Sequence, residues 1–331
     1  MLAAFVRKSL IVFIIVFSAV ILFSYSSTIP NVRGIISKAN IAFRFDELLV
    51  YSDLLWGGYS SATSLKDYNL SSNCPSVVFV GHIYPKNGFY GDGKPPFPDT
   101  NSTFSHFSGF IELDTPSRVI FGGDSIWTSS SQSLHHLSKI KDKISGARFI
   151  LGNHEEFWTS LARKQEGFAS IFPKRYWYED LSNIRLIYLH SIKSNGEYGL
   201  DDEQINFLQR ALDNKYYDYA LIFLHHALWA GESIFVNSPY PNAGKLKEQW
   251  VKYISPLLIS GNVKAVFSGD GGWRSPGSQS ILTGTTHYIT GWSGFRTDIP
   301  PEWITIKLCH DKPIVIRHKL YRETLYYKVM S

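Results

Sequence analysis

Cysteine is almost missing from this chain: Cys74 and Cys309 are all that 331 residues contain. Two thiols so far apart exclude a cysteine-built metal site. In an oxidising compartment they could pair, tying the segment before the first strand to a late strand. As two buried, unpaired thiols they fit the sequence equally well. Concentrated charge is missing too. The net charge of +5 is mild and scattered, which argues against nucleic acid as the main partner. There is no internal repeat, and no linker divides residues 75–325, so a solenoid or a string of small domains is excluded. What the chain has in quantity is apolar mass: 44% hydrophobic residues with 22 Phe, 19 Tyr and 9 Trp, ample for a packed core rather than a disordered chain.

The N-terminus carries an address. Arg7 and Lys8 precede Leu10–Phe23, an apolar run with Ser18 as its one polar interruption. The run is short against the roughly 20 residues of a membrane span and matches the apolar region of a secretory leader. Extended back to Ser9 and on to Ile29 it becomes a single-pass signal anchor with its positive residues inside. The reading is signal anchor or signal peptide over 1–26, a connector over 27–74 and one domain over 75–331. Both versions of the leader put that domain outside the cytoplasm, membrane-anchored or secreted.

Within the domain, short apolar runs end in polar clusters. Val77–Val80 leads to Gly81-His82-Ile83-Tyr84, and strand 118–122 leads to Gly123-Asp124. Strand 148–151 leads to Gly152-Asn153-His154-Glu155, strand 220–224 to His225-His226, and strand 263–267 to Ser268-Gly269-Asp270. Runs of this kind read as buried strands, and α/β sheets place their chemistry at the carboxyl ends of strands. Helices are expected over 131–144, 155–165 and 246–258, with another starting at Leu200–Gln204, where acids fill the first turn and Ile205, Leu208 and Leu212 share a face. A further strand is expected over 185–190. Thr286–Thr290, Trp303–Leu308 and Pro313–Arg317 read as a β-rich end. Asp, Asn and His at strand ends are the donors that suit Zn, Mn or Fe.

The succession Gly-Asp, Gly-Asn-His-Glu, His-His and Ser-Gly-Asp resembles the calcineurin-like metallophosphoesterases over roughly residues 76–320. Leu200–Leu208 is similar to a helix of that family, and Thr290-Gly-Trp-Ser-Gly294 to its segment after the last motif. The resemblance implies an α/β fold, a four-layer β-sandwich flanked by helices, holding one or two divalent metals. It implies Asp124 as bridging ligand, Asn153 and His225 as ligands of the second metal, and His154 as the general acid while metal-activated water attacks a phosphoester. The expected substrate is a phosphorylated small molecule, glycan or lipid head group.

The departures are as specific as the matches. The family's first motif, Asp-x-His, is here His82-Ile83-Tyr84, and its last, Gly-His-x-His, is Gly269-Asp270-Gly271-Gly272. The second metal thus keeps Asp124, Asn153, His225 and Asp270. The first keeps Asp124 with His82, and Tyr84 as a further candidate, while Gly272 offers no side chain. His82 and Asp270 together read as an exchange of ligand type. Glu155 reads as a helix-start residue or a partner behind the ligands, and His226 as backing the site or facing substrate. The same losses would suit a catalytically inactive member, a binding or scaffolding module in envelope or surface-polymer assembly. A serine esterase built on Ser125 is disfavoured, because Cys309-His310-Asp311 has the wrong order and spacing to complete a triad.

Overall fold

Strands whose residues are buried on both faces must be covered on both, and that requirement organises this molecule. The computed structural model describes residues 60–62, 74–83, 116–126, 131–156, 167–213, 216–231, 242–270, 278–290, 302–321 and 324–330. Residues 1–59 lie outside these, and with them the leader and most of the connector. So do Tyr84, Gly271, Gly272 and most of the helix expected over 155–165. Among the described residues no helix is long and apolar enough to cross a membrane.

Two sheets form the sandwich. The first runs β1 (Ser60–Ala62), β13 (Thr324–Val329), β12 (Pro313–Tyr321), β11 (Glu302–Leu308), β2 (Ser76–Val80), β3 (Arg118–Phe121), β4 (Ala147–Phe149). The second runs β5 (Trp177–Leu181), β6 (Ile184–Tyr188), β7 (Tyr219–Leu224), β8 (Val263–Ser268), β10 (Thr285–Ile289), β9 (Ser278–Leu282). The first sheet therefore reaches back to Ser60–Ala62, within the stretch read as connector. β2, β3 and β4 pair in parallel, as do β6, β7, β8 and β10. Parallel pairing brings the carboxyl ends of neighbouring strands to a common end of each sheet, where the polar clusters stand.

The alternation of side chains sorts the core into layers. Val77 and Phe79 of β2 face inward with Leu221, Phe223 and Phe267 of the opposite sheet, and the Phe79 ring lies 5.5 Å from that of Phe223. Val78, Val80, Val119 and Phe121 face outward under the helix Ser131–Lys143, which contributes Leu134, Leu137 and Ile140. On the other side Ala220, Ile222, Leu224 and Val266 lie under the helix Asp202–Asp213 and the helical stretch Ala243–Ser260. The order is helix, sheet, sheet, helix, the four-layer sandwich implied by the sequence. Cys74 and Cys309 form a disulfide across the starts of β2 and its neighbour's end, β11.

Candidate metal centre

Five strand ends deliver the site. His82 follows β2, Asp124 follows β3, Gly152–Glu155 follow β4, His225 and His226 follow β7, and Asp270 follows β8. The short helix Asn153–Glu156 starts at once, two residues earlier than the sequence suggested.

Asp124 occupies the centre. Its Oδ2 lies 3.2 Å from His82 Nε2, 3.3 Å from His225 Nε2 and 3.8 Å from His154 Nε2. His82 Nε2 is also 3.4 Å from Asp270 Oδ1. His82, Asp124, His225 and Asp270 are all buried, while His154 keeps 17% of its side chain exposed. Unpaired buried charges are too costly to persist, so this gathering is tenable only because acids and imidazoles compensate one another or share a cation.

The backbone needed to aim Asp124 is unusual. Gly123 and Asp124 have φ of +91° and +50°, the left-handed region that glycine tolerates best. A Cβ on Gly123 would also stand 2.5 Å from His225 Nδ1, so glycine is required here twice over. Glu155 secures the turn. Its fully buried carboxylate accepts the backbone N–H groups of Asp124 (2.9 Å), Ser125 (2.6 Å), Ile126 (3.2 Å) and Gly152 (2.7 Å). The His154 backbone N–H donates to Asp124 Oδ1 at 3.0 Å, closing the same knot from the other loop.

Each histidine has an orientation set by its second nitrogen. His225 Nδ1 sits 2.8 Å from the Gly122 carbonyl, so Nε2 is the atom turned to Asp124. That Nε2 is buried and makes no hydrogen bond, lying only within ion-pair range of the carboxylate. His226 is held at both nitrogens, Nδ1 at 2.7 Å from Ser191 Oγ and Nε2 at 3.0 Å from Asn153 Oδ1. Asp270 is pinned to the same strand end: its N–H donates to the His225 carbonyl at 3.0 Å, and Ser268 Oγ donates to that carbonyl too.

Ionisation follows from these contacts. Burial would raise the Asp124 pKa, but the His225 imidazole beside it chiefly, with His82 and His154, outweighs this and holds Asp124 well below the usual range. Burial would lower that of His225, yet Asp124 chiefly, with Asp270 and the Gly122 carbonyl, brings it up to about 9. A cation held at Nε2 would therefore take the place of a proton. Burial and the nearby charge of His225 push His226 well below the ordinary imidazole range, in keeping with a neutral ring between Ser191 and Asn153. Burial, then the charge of Asp124, raises Glu155 to about 7, against its backbone donors, which favour the anion.

The donors fit a divalent cation. Among the described residues two His/Asp groups are compact enough to hold a metal, His82–Asp124–His225 and His225–His226–Asp270, and they share His225. Imidazole and carboxylate together are the set that suits Zn, Mn or Fe. The structure thus assembles His82, Asp124, Asn153, His154, His225, His226, Asp270 and Glu155 at one place. Ser191 was not foreseen, although the run over 185–190 ended at it just as the others ended at their polar clusters.

The calcineurin-like phosphoesterase family model matches residues 49–270. Among solved structures, the chain is similar to a dimetal phosphatase from Danio rerio, at 13% identity and a TM-score of 0.55, over 74% of this chain and 96% of that one. It is also similar to the purple acid phosphatase PPD1 from yellow lupin, at 14% identity and a TM-score of 0.50, over 76% of this chain and 52% of that one. At such identities the likeness is one of fold. No curated protein sequence matches. With its four layers, its strand-end site and a family match across two-thirds of its length, the chain belongs to the calcineurin-like phosphoesterases.

Proposed function

We propose that this protein is a metal-dependent phosphoester hydrolase acting outside the cytoplasm, with His154 as general acid. The observation that carries the reading is the convergence of three imidazole Nε2 atoms on Asp124 Oδ2, with Asp270 beside them. A divalent ion held by such groups supplies polarisation of a phosphoryl oxygen and a water of lowered pKa. The rest falls to the side chains. His154 is the most open of the three histidines around Asp124, so it can face both substrate and solvent. Its backbone tie to Asp124 keeps its ring near the reacting group, where an imidazole can donate a proton to a leaving oxygen near neutral pH.

The substrate class is a phosphorylated small molecule, glycan or lipid head group. The external location rests on the Arg7-Lys8 and Leu10–Phe23 pattern, as anchor or leader over 1–26, and the Cys74–Cys309 disulfide supports it. The test is hydrolysis of aryl phosphate mono- and diesters by the full chain, before and after chelation and in Asp124→Ala. Turnover should vanish with chelator, return with added Mn2+ and be absent in the variant. Turnover indifferent to chelation would sink the proposal.

One observation favours a second reading, a non-catalytic binding module of the same fold: Asn153, expected on a metal, has its Oδ1 engaged by His226. A folded protein that binds no metal and hydrolyses neither ester class would select it.

A further inference from the structure

The family pattern calls for two ions, and among the described residues the donors do not divide into two sets. In that pattern His82 would serve the first ion, and His225 and Asp270 the second. Here His82 Nε2 approaches Asp124 Oδ2 and Asp270 Oδ1 at once, at 3.2 and 3.4 Å, so donors assigned to separate ions are interleaved.

The two compact donor groups share His225. Its Nδ1 is occupied by the Gly122 carbonyl, leaving Nε2 alone to coordinate, and one nitrogen lone pair serves one ion. The second group also needs His226, whose nitrogens face Ser191 and Asn153 at hydrogen-bond distance. With His226 removed, the second group reduces to His225 and Asp270, both next to the first.

Spacing gives an independent measure. Donors about 2.0–2.2 Å from one tetrahedral ion lie about 3.4 Å from one another. Three of the six separations within the set, His82–Asp124, His225–Asp124 and His82–Asp270, are 3.2, 3.3 and 3.4 Å. Two ions stand about 3.5–4 Å apart and need donors ranged on both sides of that axis. Gly272, where the pattern has the final histidine, has no donor to offer.

We propose that the protein binds one divalent cation through His82, Asp124, His225 and Asp270, and that Asn153 stands outside this shell, held by the His226–Ser191 pair. The proposal rests on the metal-dependent reading above and narrows it.

The experiment is reconstitution of the full chain with Mn2+ alone, reading metal per chain by mass spectrometry and the spin resonance spectrum of the bound ion. One ion per chain with the hyperfine sextet of an isolated Mn2+ is expected. Asn153→Ala should keep that ion with affinity within about threefold, and His82→Ala should weaken it at least a hundredfold, with circular dichroism reporting the fold of each. Should His82→Ala misfold, stoichiometry, spectrum and Asn153→Ala still decide the matter. Two ions per chain, or an exchange-coupled spectrum, would overturn the single-ion assignment and leave metal dependence standing. Loss of the ion in a folded Asn153→Ala would place the amide in the shell and overturn it as well. No bound ion in folded wild type would overturn both readings.

Discussion

Glu155 holds Asp124 in place through its backbone. The Glu155 side chain binds the backbone N–H of Asp124 at 2.9 Å and those of the next two residues, while its other tie, to Gly152, anchors it to the neighbouring strand end. A left-handed Asp124 would otherwise have to be kept by its own strained dihedral. Replacing Glu155 by Ala should leave four buried donors unmatched and cost about 3–5 kcal/mol of stability. Chemical denaturation of the two proteins measures it, and a loss below about 1 kcal/mol would show that water replaces the carboxylate.

The exposed face of His154 predicts a dependence on leaving group. General acid catalysis contributes roughly 10²–10⁴ in rate, and only where the departing oxygen needs a proton. His154→Ala should lower kcat by about that factor for an alkyl phosphoester and far less for a p-nitrophenyl ester, whose phenolate leaves unaided. Equal losses on both substrates would assign His154 to binding instead.

Far from the site, Glu179 receives Arg118 and Arg148 from the opposite sheet and the Tyr188 hydroxyl. Burial would raise its pKa, but these partners bring it down to about 2. A carboxylate depressed in the folded state contributes stability above its unfolded pKa of about 4.5 and loses it as pH falls towards 2. Glu179→Gln should therefore be about 2–3 kcal/mol less stable at pH 6, the figure discounted for partial exposure, with the gap closing between pH 4.5 and 2. Denaturation curves across that window test the sign: a gap that widens in acid refutes it.

The disulfide joins residues 235 apart in sequence. Closing so long a loop restricts the unfolded chain, and its loss costs about 2–5 kcal/mol. The Cys74→Ser/Cys309→Ser pair should show that drop in denaturant while binding metal with unchanged affinity, since neither cysteine belongs to the centre. A changed metal affinity would tie the far end of β2 to His82.

How much of this was readable in the sequence depends on where each residue sits. β2 and β7 are buried throughout and appear as apolar runs, β3, β6 and β8 do so with Arg118, Arg185 and Lys264 set among them, and β10 and β11 mix Thr, His and Lys with large apolar residues. β1, β5 and β9 were missed because they are sheet edges, where half-exposed positions admit Glu179, Asp180 or Ser280 and blur the pattern. β13 lies just inside β1 and was missed with it. In the site, Asp124, His225 and Asp270 were legible because each ends an apolar run. The pairing of His226 with Asn153 was not, because it joins residues 73 apart from opposite sheets. Nor can a sequence mark the Gly122 carbonyl that turns His225, since every residue has one.

The 3.4 Å approach of His82 to Asp270 makes the two positions a single unit of charge. The family arrangement puts a carboxylate at the first and an imidazole at the second, and this chain has each in the other's place. Counted over these two positions with Asp124 and His225, the sum is the same: two acids and two imidazoles in either arrangement. Returning His82 alone to Asp would crowd three acids together, and returning Asp270 alone to His would leave one acid among three imidazoles. Either single step would change the balance of acid and imidazole at these four positions, so the two substitutions compensate one another in charge.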